Sequence, residues 1–556
     1  MRSSVENGRT KAPRPRSTFH DHGKRGFIPG RCSLGVFGAG LPGLCGHLRA
    51  RALLSSTLLS AVLFAAHTSA QSPSEMVTGP TPARSVPLSG TQAQTGQVSV
   101  TQGTTNAGGG NTVNTINSSV HVQGPFQGST PSGSASPAAL PLSLAEALRL
   151  GLRYNLGAME QSNAVLDAQG AREVARSQLL PNLNSAISEV FERENLRTLG
   201  VKQSSFPESS KFSYYDARAA RLQQSVFDLV RIDNLHSATE TLKANLLAVR
   251  NTRDLVVLAV GGSYLQLIAT QARIDAVQAQ VNSSAAIAQQ AADRFNAGLA
   301  ARVDAERAKV QLQTEQQRLR SLQADRDTEK LRLARLIGLP LGQQFSIAET
   351  YSYAPLNGMT VEGALERAYQ QRADLKAASA SVAAAEQALK AAHAERIPSL
   401  GVNADFGAAG VTPSFESTGV YTVSGTLTIP LWEGGRIHGE IEQGDAALRQ
   451  RKSELENVRG QVDEDVREAF IDLNSAADQV GVAESNVALA HDTLAQSRDR
   501  FAAGVADSVE LVQSEQAVVQ ADDDYITAVY EHNLAKVSLA RAMGNAEQAL
   551  PQLLRK

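Results

Sequence analysis

Two short turns, repeated in the sequence, carry the side chains best suited to chemistry at a helix end. Arg-Phe-Asn-Ala-Gly at 294–298 returns 206 positions later as Arg-Phe-Ala-Ala-Gly at 500–504. An acid follows each glycine by six residues, Asp304 in the first copy and Glu510 in the second. Carboxylates at these two turns would attract cations and repel anions.

A structural alternative exists for the same residues. Asp304 and Glu510 would each lie near the start of a following helix, where an acid is favourable because of the helix dipole. Glycine after a long helix suits a left-handed C-terminal cap. The two arginines, Arg294 and Arg500, are better interpreted as capping helix ends than as contacting phosphate.

Other chemical motifs are weak. The stretch 38–43 matches G-x-G-x-x-G, but no strand precedes it and Pro42 lies inside it, so a dinucleotide site is not expected. His438, His491 and His532 fall at no metal-ligand spacing and are expected on solvated helix faces. No Walker loop, nucleophile elbow or paired-carboxylate motif occurs. We therefore expect no enzyme activity, no cofactor and no metal site.

The bulk composition excludes several classes of partner. The 556 residues include 53 basic and 55 acidic side chains, so no strong field favours nucleic acid. The only cysteines are Cys32 and Cys45, which both precede a predicted signal peptide. A mature chain without cysteine has no disulfide framework.

The N-terminal part is predicted to hold three segments without a folded domain. Residues 1–48 are an extension that an early start-codon assignment would explain. Residues 49–70 are predicted to be a signal peptide, because a basic start and a short apolar run precede the small residues of Thr68-Ser69-Ala70. Residues 71–140 are rich in Ser, Thr, Gly and Gln, which predicts a mostly disordered linker with some strand character at 113–122.

From residue 141 onward the sequence is an internal duplication. The helix start at Ser143 recurs at Thr360, 217 positions later, and Pro-x-Leu at 181–183 recurs at 398–400 with the same spacing. Later matches keep a spacing of 205 or 206, so one loop differs in length. We predict a first repeat at 141–338, an inter-repeat link at 339–359, a second repeat at 360–548 and a C-terminal tail at 549–556.

Each repeat is predicted to contain a helix, two strands, a long helix, a turn and a shorter helix. The second strand of the second repeat alternates, with Tyr421, Val423, Leu427 and Ile429 on one face and threonine or serine on the other. The first long helix extends from about Ile232 to Ala297, which corresponds to about 100 Å.

Apolar residues on both long helices recur every seven positions, which predicts left-handed coiled coils. In the first helix they are Val260, Leu267, Ile274, Val281, Ala288 and Phe295. In the second they are Val466, Leu473, Val480, Val487, Leu494 and Phe501. Small residues at Ser263, Ser284 and Ala291 would allow close helix approach.

Four amphipathic strands in an exported chain cannot close a barrel, because about eight are needed. An open sheet would leave unpaired backbone groups in lipid. The fold class predicted is therefore mainly α with a membrane β-barrel contribution. A homotrimer would supply a 12-stranded β-barrel that an α-helical barrel continues, and such a shape is a duct.

These features resemble the TolC-type outer-membrane factor family over about residues 140–548. The paired Pro-x-Leu strand entries, the stretch Leu431-Trp432-Glu433-Gly434-Gly435-Arg436 and the two Arg-Phe-x-Ala-Gly turns carry the resemblance. The resemblance implies a trimeric barrel in the outer membrane of a Gram-negative-type cell and a large periplasmic helical portion. It also implies an equatorial belt built from the inter-repeat link at 339–359 and the termini. The partners that it implies are a periplasmic adaptor (membrane fusion) protein and an inner-membrane pump of the RND or ABC type.

The resemblance also assigns candidate site residues. A periplasmic gate would comprise Glu510, Asp304 and Gln513, the last where relatives can carry a second acid. The tip turns that would dock the adaptor comprise Arg294, Phe295, Gly298, Arg500, Phe501 and Gly504. The strand-to-helix junction comprises Phe227, Trp432, Gly434, Gly435 and Arg436, with the two aromatic residues either at the membrane interface or in ordinary core.

A second function from a different class remains open on the sequence alone. A non-pore periplasmic scaffold or adaptor would use the same long coiled-coil helices. It would not need amphipathic strands placed twice at the same point of a repeat. We therefore expect the outer-membrane duct of an efflux pump or a type I secretion system, with a substrate that the sequence does not identify.

Overall fold

The structure, a computed structural model, describes residues 97–104, 116–131, 133–198, 200, 205, 207–349, 353–356, 358–411, 417–503, 505 and 508–554. All of these residues fall within the unit Thr78–Lys556. The predicted extension at 1–48, the predicted signal peptide at 49–70 and Gly504 of the second tip turn lie outside the described residues.

The N-terminal segment contains a β-hairpin where the sequence predicts a mostly disordered linker with some strand character at 113–122. Strand β1 (Val98–Thr104) pairs antiparallel with β2 (Ile116–Val122), and a 3-10 turn follows at Gly124–Gln127. Alternating valines of both strands pack on the main hydrophobic core: Val98, Val100, Val120 and Val122. The prediction of disorder across 71–140 is therefore wrong for 97–104 and 116–131. A polar segment can be ordered when its few apolar side chains are buried on other elements.

Two copies of one unit follow. A short strand precedes each copy, and these two strands pair with each other. After β3 (Leu140–Leu142), the first copy comprises α1 (Leu144–Tyr154), α2 (Leu156–Ser177), β4 (Asn182–Asn195), β5 (Ser209–Phe227), α3 (Leu229–Asn296) and α4 (Arg302–Ile337). After β6 (Phe345–Ile347), the second comprises α5 (Val361–Gln371), α6 (Ala373–Ala394), β7 (Ser399–Gly410), β8 (Ser417–Thr428), α7 (Arg436–Ala502) and α8 (Ser508–Ala542). Helix α9 (Ala546–Leu553) ends the described chain. The order of elements matches the predicted duplication.

The first helix of each repeat begins as predicted but is broken in the middle. The side chains of Ser143 and Thr360 each accept a hydrogen bond at 3.2 Å from the amide three residues later, which confirms both as N-caps. The prediction of one unbroken helix is wrong in both repeats. The chain is extended at Asn155, between α1 and α2, and at Arg372, between α5 and α6. These breaks are 217 positions apart, so they belong to the duplication itself.

Different side chains stabilise the two breaks. Asn155 is fully buried, and its Nδ2 donates to the carbonyl oxygens of Phe126 at 2.8 Å and Leu336 at 3.3 Å. Arg372 is also buried and binds the carboxylates of Asp374 and Asp465, the latter at 2.6 Å. Oδ1 of Asn155 also accepts from the Gly157 amide at 3.0 Å, a group that the interrupted helix would leave unpaired.

The inter-repeat link and the C-terminal helix meet the middle of the long helices. Strand β3 pairs in parallel with β6. Leu550 of α9 is fully buried, and Leu554 is nearly so. Arg253 of α3 donates two hydrogen bonds to Glu547, at 2.9 and 2.7 Å. The predicted tail at 549–556 is therefore wrong in its boundary, because this region holds a packed helix.

Four long strands form one antiparallel sheet in the order β4-β5-β7-β8. Strands from the two repeats meet at the β5–β7 pair, where a bulge lies between Arg218 and Ala220. A Cβ added to Gly407 opposite this bulge would lie 2.0 Å from the carbonyl oxygen of Ala217, so only glycine fits. The outer edges of β4 and β8 pair with no other strand among the described residues.

The two long helices, α3 with 68 residues and α7 with 67, confirm the predicted lengths. Their heptad positions are buried in the middle of the molecule, as for Val260, Leu267, Val466 and Leu473. Burial weakens toward the tip, where Phe295 is 41% exposed. One stretch of α3 is apolar enough to cross a membrane, but 67% of it is buried inside the protein, as in a core helix.

Candidate functional site

The end of α3 forms the turn that the sequence predicts. Gly298 has a φ of +76°, and the Leu299 amide donates to the Arg294 carbonyl at 2.8 Å. A Cβ at Gly298 would meet nothing within 4 Å, so the glycine is needed for its backbone conformation. The second turn has the equivalent hydrogen bond, from the Val505 amide to the Arg500 carbonyl at 2.9 Å.

Arg294 caps a helix as predicted, but the helix belongs to the other repeat. Its Nη1 and Nη2 atoms donate to the carbonyl oxygens of Phe501 and Ala502, both at 3.2 Å. Its guanidinium carbon lies 4.8 Å from the centre of the Phe501 ring. A cation at the C-terminal end of α7 is favourable for the helix dipole. Arg294 therefore ties the two tip turns together.

Both candidate gate acids lie in the first turn of a helix and face an arginine. Glu510 forms a salt bridge with Arg500 at 3.2 Å, and Asp304 lies 3.9 Å from Arg307. Gln513 is exposed one turn after Glu510. Within one chain these positions suit the helix dipole, and Glu510 is additionally held at the second tip turn.

A polar cluster around the buried carboxyl group of Glu515 lies farther from the tip and joins α3, α7 and α8, and sequence spacing alone does not predict it. Ser283 of α3 donates to Glu515 of α8 at 3.0 Å, and Arg498 of α7 contacts both. Glu515 is 1% exposed, and burial raises its pKa although Ser283 and Arg498 lower it. Glu315 of α4 lies close enough to raise that pKa further. The sequence signal that could have indicated this cluster is an acid, Glu515, at a buried coiled-coil position, whereas Arg498 is 46% exposed and Ser283 is half-buried.

One face of the sheet is apolar and exposed, in agreement with the predicted alternation. Cross-strand pairing places Tyr421 opposite Phe406 and Leu427 opposite Leu400, so both strands contribute to the same face. Large apolar side chains on this face are between 36% and 79% exposed: Leu183, Ile187, Phe191, Leu400, Phe406, Tyr421, Val423 and Leu427. Such a patch exceeds what a water-soluble monomer normally exposes.

The opposite face of the sheet is polar and carries a charged cluster. Arg218 of β5 binds Asp216 at 2.7 Å and Asp405 of β7 at 2.6 Å. Threonine and serine residues of β8 share this face. The Arg218–Asp405 pair joins strands from the two repeats, and the sequence analysis did not identify it.

The junction between the sheet and the long helices is built from the predicted residues. Trp432 is 88% exposed and Phe227 is 45% exposed, so neither is ordinary core. Gly434 and Gly435 both have positive φ values, of 61° and 91°. Arg436 then binds Glu433 and Glu440, and it also binds Glu395 at the end of α6.

The histidines and the acidic groups form no candidate metal site within the part of the chain that the structure describes. His532 is only 1% exposed, so the prediction that it lies on a solvated helix face is wrong. Its ring centre lies 4.7 Å from that of Tyr353. Burial, together with the nearby Lys536, lowers its pKa to about 4.

Comparison with known proteins gives consistent matches over both repeats. The family model described as "Outer membrane efflux protein" matches residues 148–339 and 364–545. The pyoverdine export outer membrane protein OpmQ of Pseudomonas putida is 24% identical over 400 residues, covering 69% of this chain and 82% of OpmQ. The outer membrane protein TolC of Escherichia coli K12 is 19% identical over 387 residues, covering 67% of this chain and 76% of TolC.

A solved structure shows a similar fold. The outer membrane protein VceC of Vibrio cholerae superimposes with a TM-score of 0.62 at 18% sequence identity. The match covers 72% of this chain and 96% of the VceC chain. At this identity the likeness concerns the fold.

Proposed function

Because the chain belongs to the outer membrane efflux protein family, we propose that it is the outer-membrane duct of a tripartite efflux pump or a type I secretion system. The proposed duct is a homotrimer with a β-barrel in the outer membrane and a helical tube in the periplasm. One observation carries this proposal: an open four-stranded sheet has an exposed apolar face and a polar face.

The sheet explains why three copies are needed. Strand edges in lipid would leave amide and carbonyl groups without partners, at several kcal/mol each. Pairing β8 of one copy with β4 of the next would satisfy both edges. Three copies would supply twelve strands, with the apolar face toward lipid and the cluster around Arg218 toward the lumen. A periplasmic scaffold without a pore would leave this apolar face unexplained.

The helices support the periplasmic part of the proposal. At about 1.5 Å per residue, α3 and α7 would each extend about 100 Å from the sheet. Three copies of the coiled coils would continue the barrel as a tube. The Arg294–Gly298 and Arg500–Gly504 turns would then form the far tip, where an adaptor connected to an inner-membrane RND or ABC pump would dock.

We assign gating to the tip. Glu510, and to a smaller extent Asp304, would form rings of carboxylates, with Gln513 one turn beyond. The contacts from Arg294 to α7 and from Ser283 to Glu515 join the coiled coils of the two repeats within one chain. Opening the tip would require these coiled coils to separate, so the buried cluster would break or rearrange.

The proposal is tested with the purified full chain in detergent and in planar bilayers. We expect detergent-stable trimers from the outer-membrane fraction, with a mobility that changes on heating, and discrete channel conductance. A monomer that stays soluble without detergent and forms no channels would exclude the duct and favour the scaffold.

A further inference from the structure

We propose that the hairpin β1–β2 is an intrachain clamp that fastens the first-repeat helix α3 to the second-repeat helix α8. The hairpin precedes the residues that the family model matches, so family membership does not account for it. Its docking is inferred from its contacts with α3 and α8. Its effect on conductance rests in addition on the proposed function.

A notch in α3 receives the hairpin. Gly261 and Gly262 are consecutive in the middle of this long helix, where each glycine costs about 1 kcal/mol relative to alanine. A Cβ on Gly262 would lie 2.3 Å from Cγ2 of Val120, and one on Gly261 would lie 3.3 Å from Cδ2 of Leu550. The hairpin and α9 therefore occupy the space that two side chains would otherwise fill. Leu534 of α8 lies beside the same notch, 3.5 Å from the Gly262 Cβ position.

A hydrogen bond fastens the hairpin to α8. The Ser118 amide donates to Oε1 of Glu531 at 3.1 Å, and Glu531 is 4% exposed. Charged groups also face Glu531 from the neighbouring helices, Asp472 on α7 and Arg273 on α3. Arg273 is itself held by Asp523 at 2.8 Å. Without the hairpin this carboxyl group would be opened to water on the side that Ser118 now covers.

Burial makes the clamp sensitive to pH. Burial and the charge of Asp472 raise the pKa of Glu531 to about 7, although Ser118 and Arg273 lower it. Release of the hairpin would hydrate the carboxyl group and return its pKa toward the ordinary value near 4.5. Docking therefore binds a proton. The stabilisation that the protonated Glu531 gives to the docked hairpin is full below about pH 4.5 and is lost as the pH rises through about 7.

Hydrogen exchange of the full-length trimer in detergent tests the docking. Val120→Asp would place a charge against α3, and we expect exchange of the β1 and β2 amides to accelerate at least about tenfold. Ser119→Asp is the matched control, because this neighbouring side chain is exposed. Gly262→Ala should release the hairpin from the other side of the contact. Gly460→Ala on α7, where a Cβ meets nothing within 4 Å, should not.

The pH dependence of docking is tested with Glu531→Gln, which keeps a hydrogen-bond acceptor but cannot titrate. After correction for intrinsic exchange rates, the wild-type hairpin should lose protection between pH 6 and pH 8. Glu531→Gln should show no such loss. Equal pH dependence in the two proteins would overturn the role of Glu531.

Bilayer conductance tests the clamp itself. Val120→Asp and Gly262→Ala should both change channel conductance or closure relative to their controls. Unchanged hairpin exchange in both variants would overturn the docking, and a released hairpin with unchanged conductance would overturn the clamp. A wild-type protein with no conductance would instead contradict the proposed function, and the exchange data would still decide whether the hairpin docks.

Discussion

At the tip, a salt bridge within the second repeat positions the candidate gate acid Glu510. Arg500 holds Glu510 at 3.2 Å, so a lysine at position 510 would place an ammonium group beside a guanidinium group. It would also remove the carboxylates of the proposed ring. We expect Glu510→Lys to weaken channel block by divalent cations at least about tenfold, measured in planar bilayers.

Glu306→Lys makes the same charge change on an exposed part of α4 and serves as the control. Cation block that is equal in Glu510→Lys and the wild type would contradict the gate assignment.

The buried His532 is expected to make the stability of the folded protein fall in acid. Its pKa is lowered to about 4, so the unfolded chain binds a proton before the folded chain does. The stability from the neutral ring is present above about pH 6.5 and is lost as the pH falls toward 4, by at most about 3 kcal/mol. We expect His532→Phe to flatten the fall in melting temperature between pH 6.5 and 4. His438→Phe, at a histidine that is 71% exposed, should leave the slope unchanged.

Sequence spacing predicts residues whose role is local and misses those whose partners are distant. The left-handed cap at Gly298 is predicted from the end of one helix alone, and the structure confirms its left-handed backbone. The partners of Arg294 lie more than 200 residues away, so its contact with α7 depends on how two coiled coils pack. Burial of His532 depends in the same way on the link between the repeats, because Tyr353 covers it.

The tip turn is the element on which adaptor docking is proposed to depend. Gly298 has a φ of +76°, whereas proline fixes φ near −65°, so Gly298→Pro would unravel the end of α3. We expect Gly298→Pro, and Gly504→Pro in the equivalent turn, to impair adaptor binding and export while the trimer stays in the membrane. Crosslinking to the adaptor and heat-modified gel mobility would measure the two effects. Normal export in both variants would show that docking occurs elsewhere.

The β5–β7 joint is the element that unites the strands of the two repeats. A side chain at Gly407 would collide with the Ala217 carbonyl, 2.0 Å from its Cβ position. We therefore expect Gly407→Val to abolish most trimer in the outer-membrane fraction. Gly425→Val is the matched control in β8, where a Cβ meets nothing within 4 Å. Equal trimer yields for the two variants would show that trimer formation does not require the close contact between β5 and β7 at Gly407.

Periodicity predicts long elements well because many residues repeat the same signal. The lengths of α3 and α7 and the alternation of β8 are confirmed for this reason. The breaks at Asn155 and Arg372 were missed because neither residue is a helix breaker by type. At each break the side chain also has a partner on a distant element, Leu336 for Asn155 and Asp465 for Arg372. The strand character at 113–122 was expected, but the pairing of β1 with β2 and its docking were missed for a related reason, since the apolar face of the hairpin is completed by α3 and α8.

For the whole molecule, the two faces of the sheet would decide, in the proposed trimer, which surface meets lipid and which meets the transported solution. The register places exposed apolar side chains on one face and Arg218, Asp216 and Asp405 on the other. Closing three sheets into one barrel would place three such charged clusters around the lumen. The tip helices and the charged barrel wall of the proposed trimer would then act in series on any ion that passes.

Ion selectivity of the assembled trimer tests this orientation. Arg218→Met would leave the carboxylates of Asp216 and Asp405 less compensated and remove three positive charges from the proposed lumen. We expect the reversal potential in a salt gradient to shift toward cation selectivity, with a smaller shift at high salt because the charges are screened. Arg193→Met removes the same charge from the opposite face of β4 and should have little effect. If the two variants shift selectivity equally or not at all, the polar face does not line the conduction path.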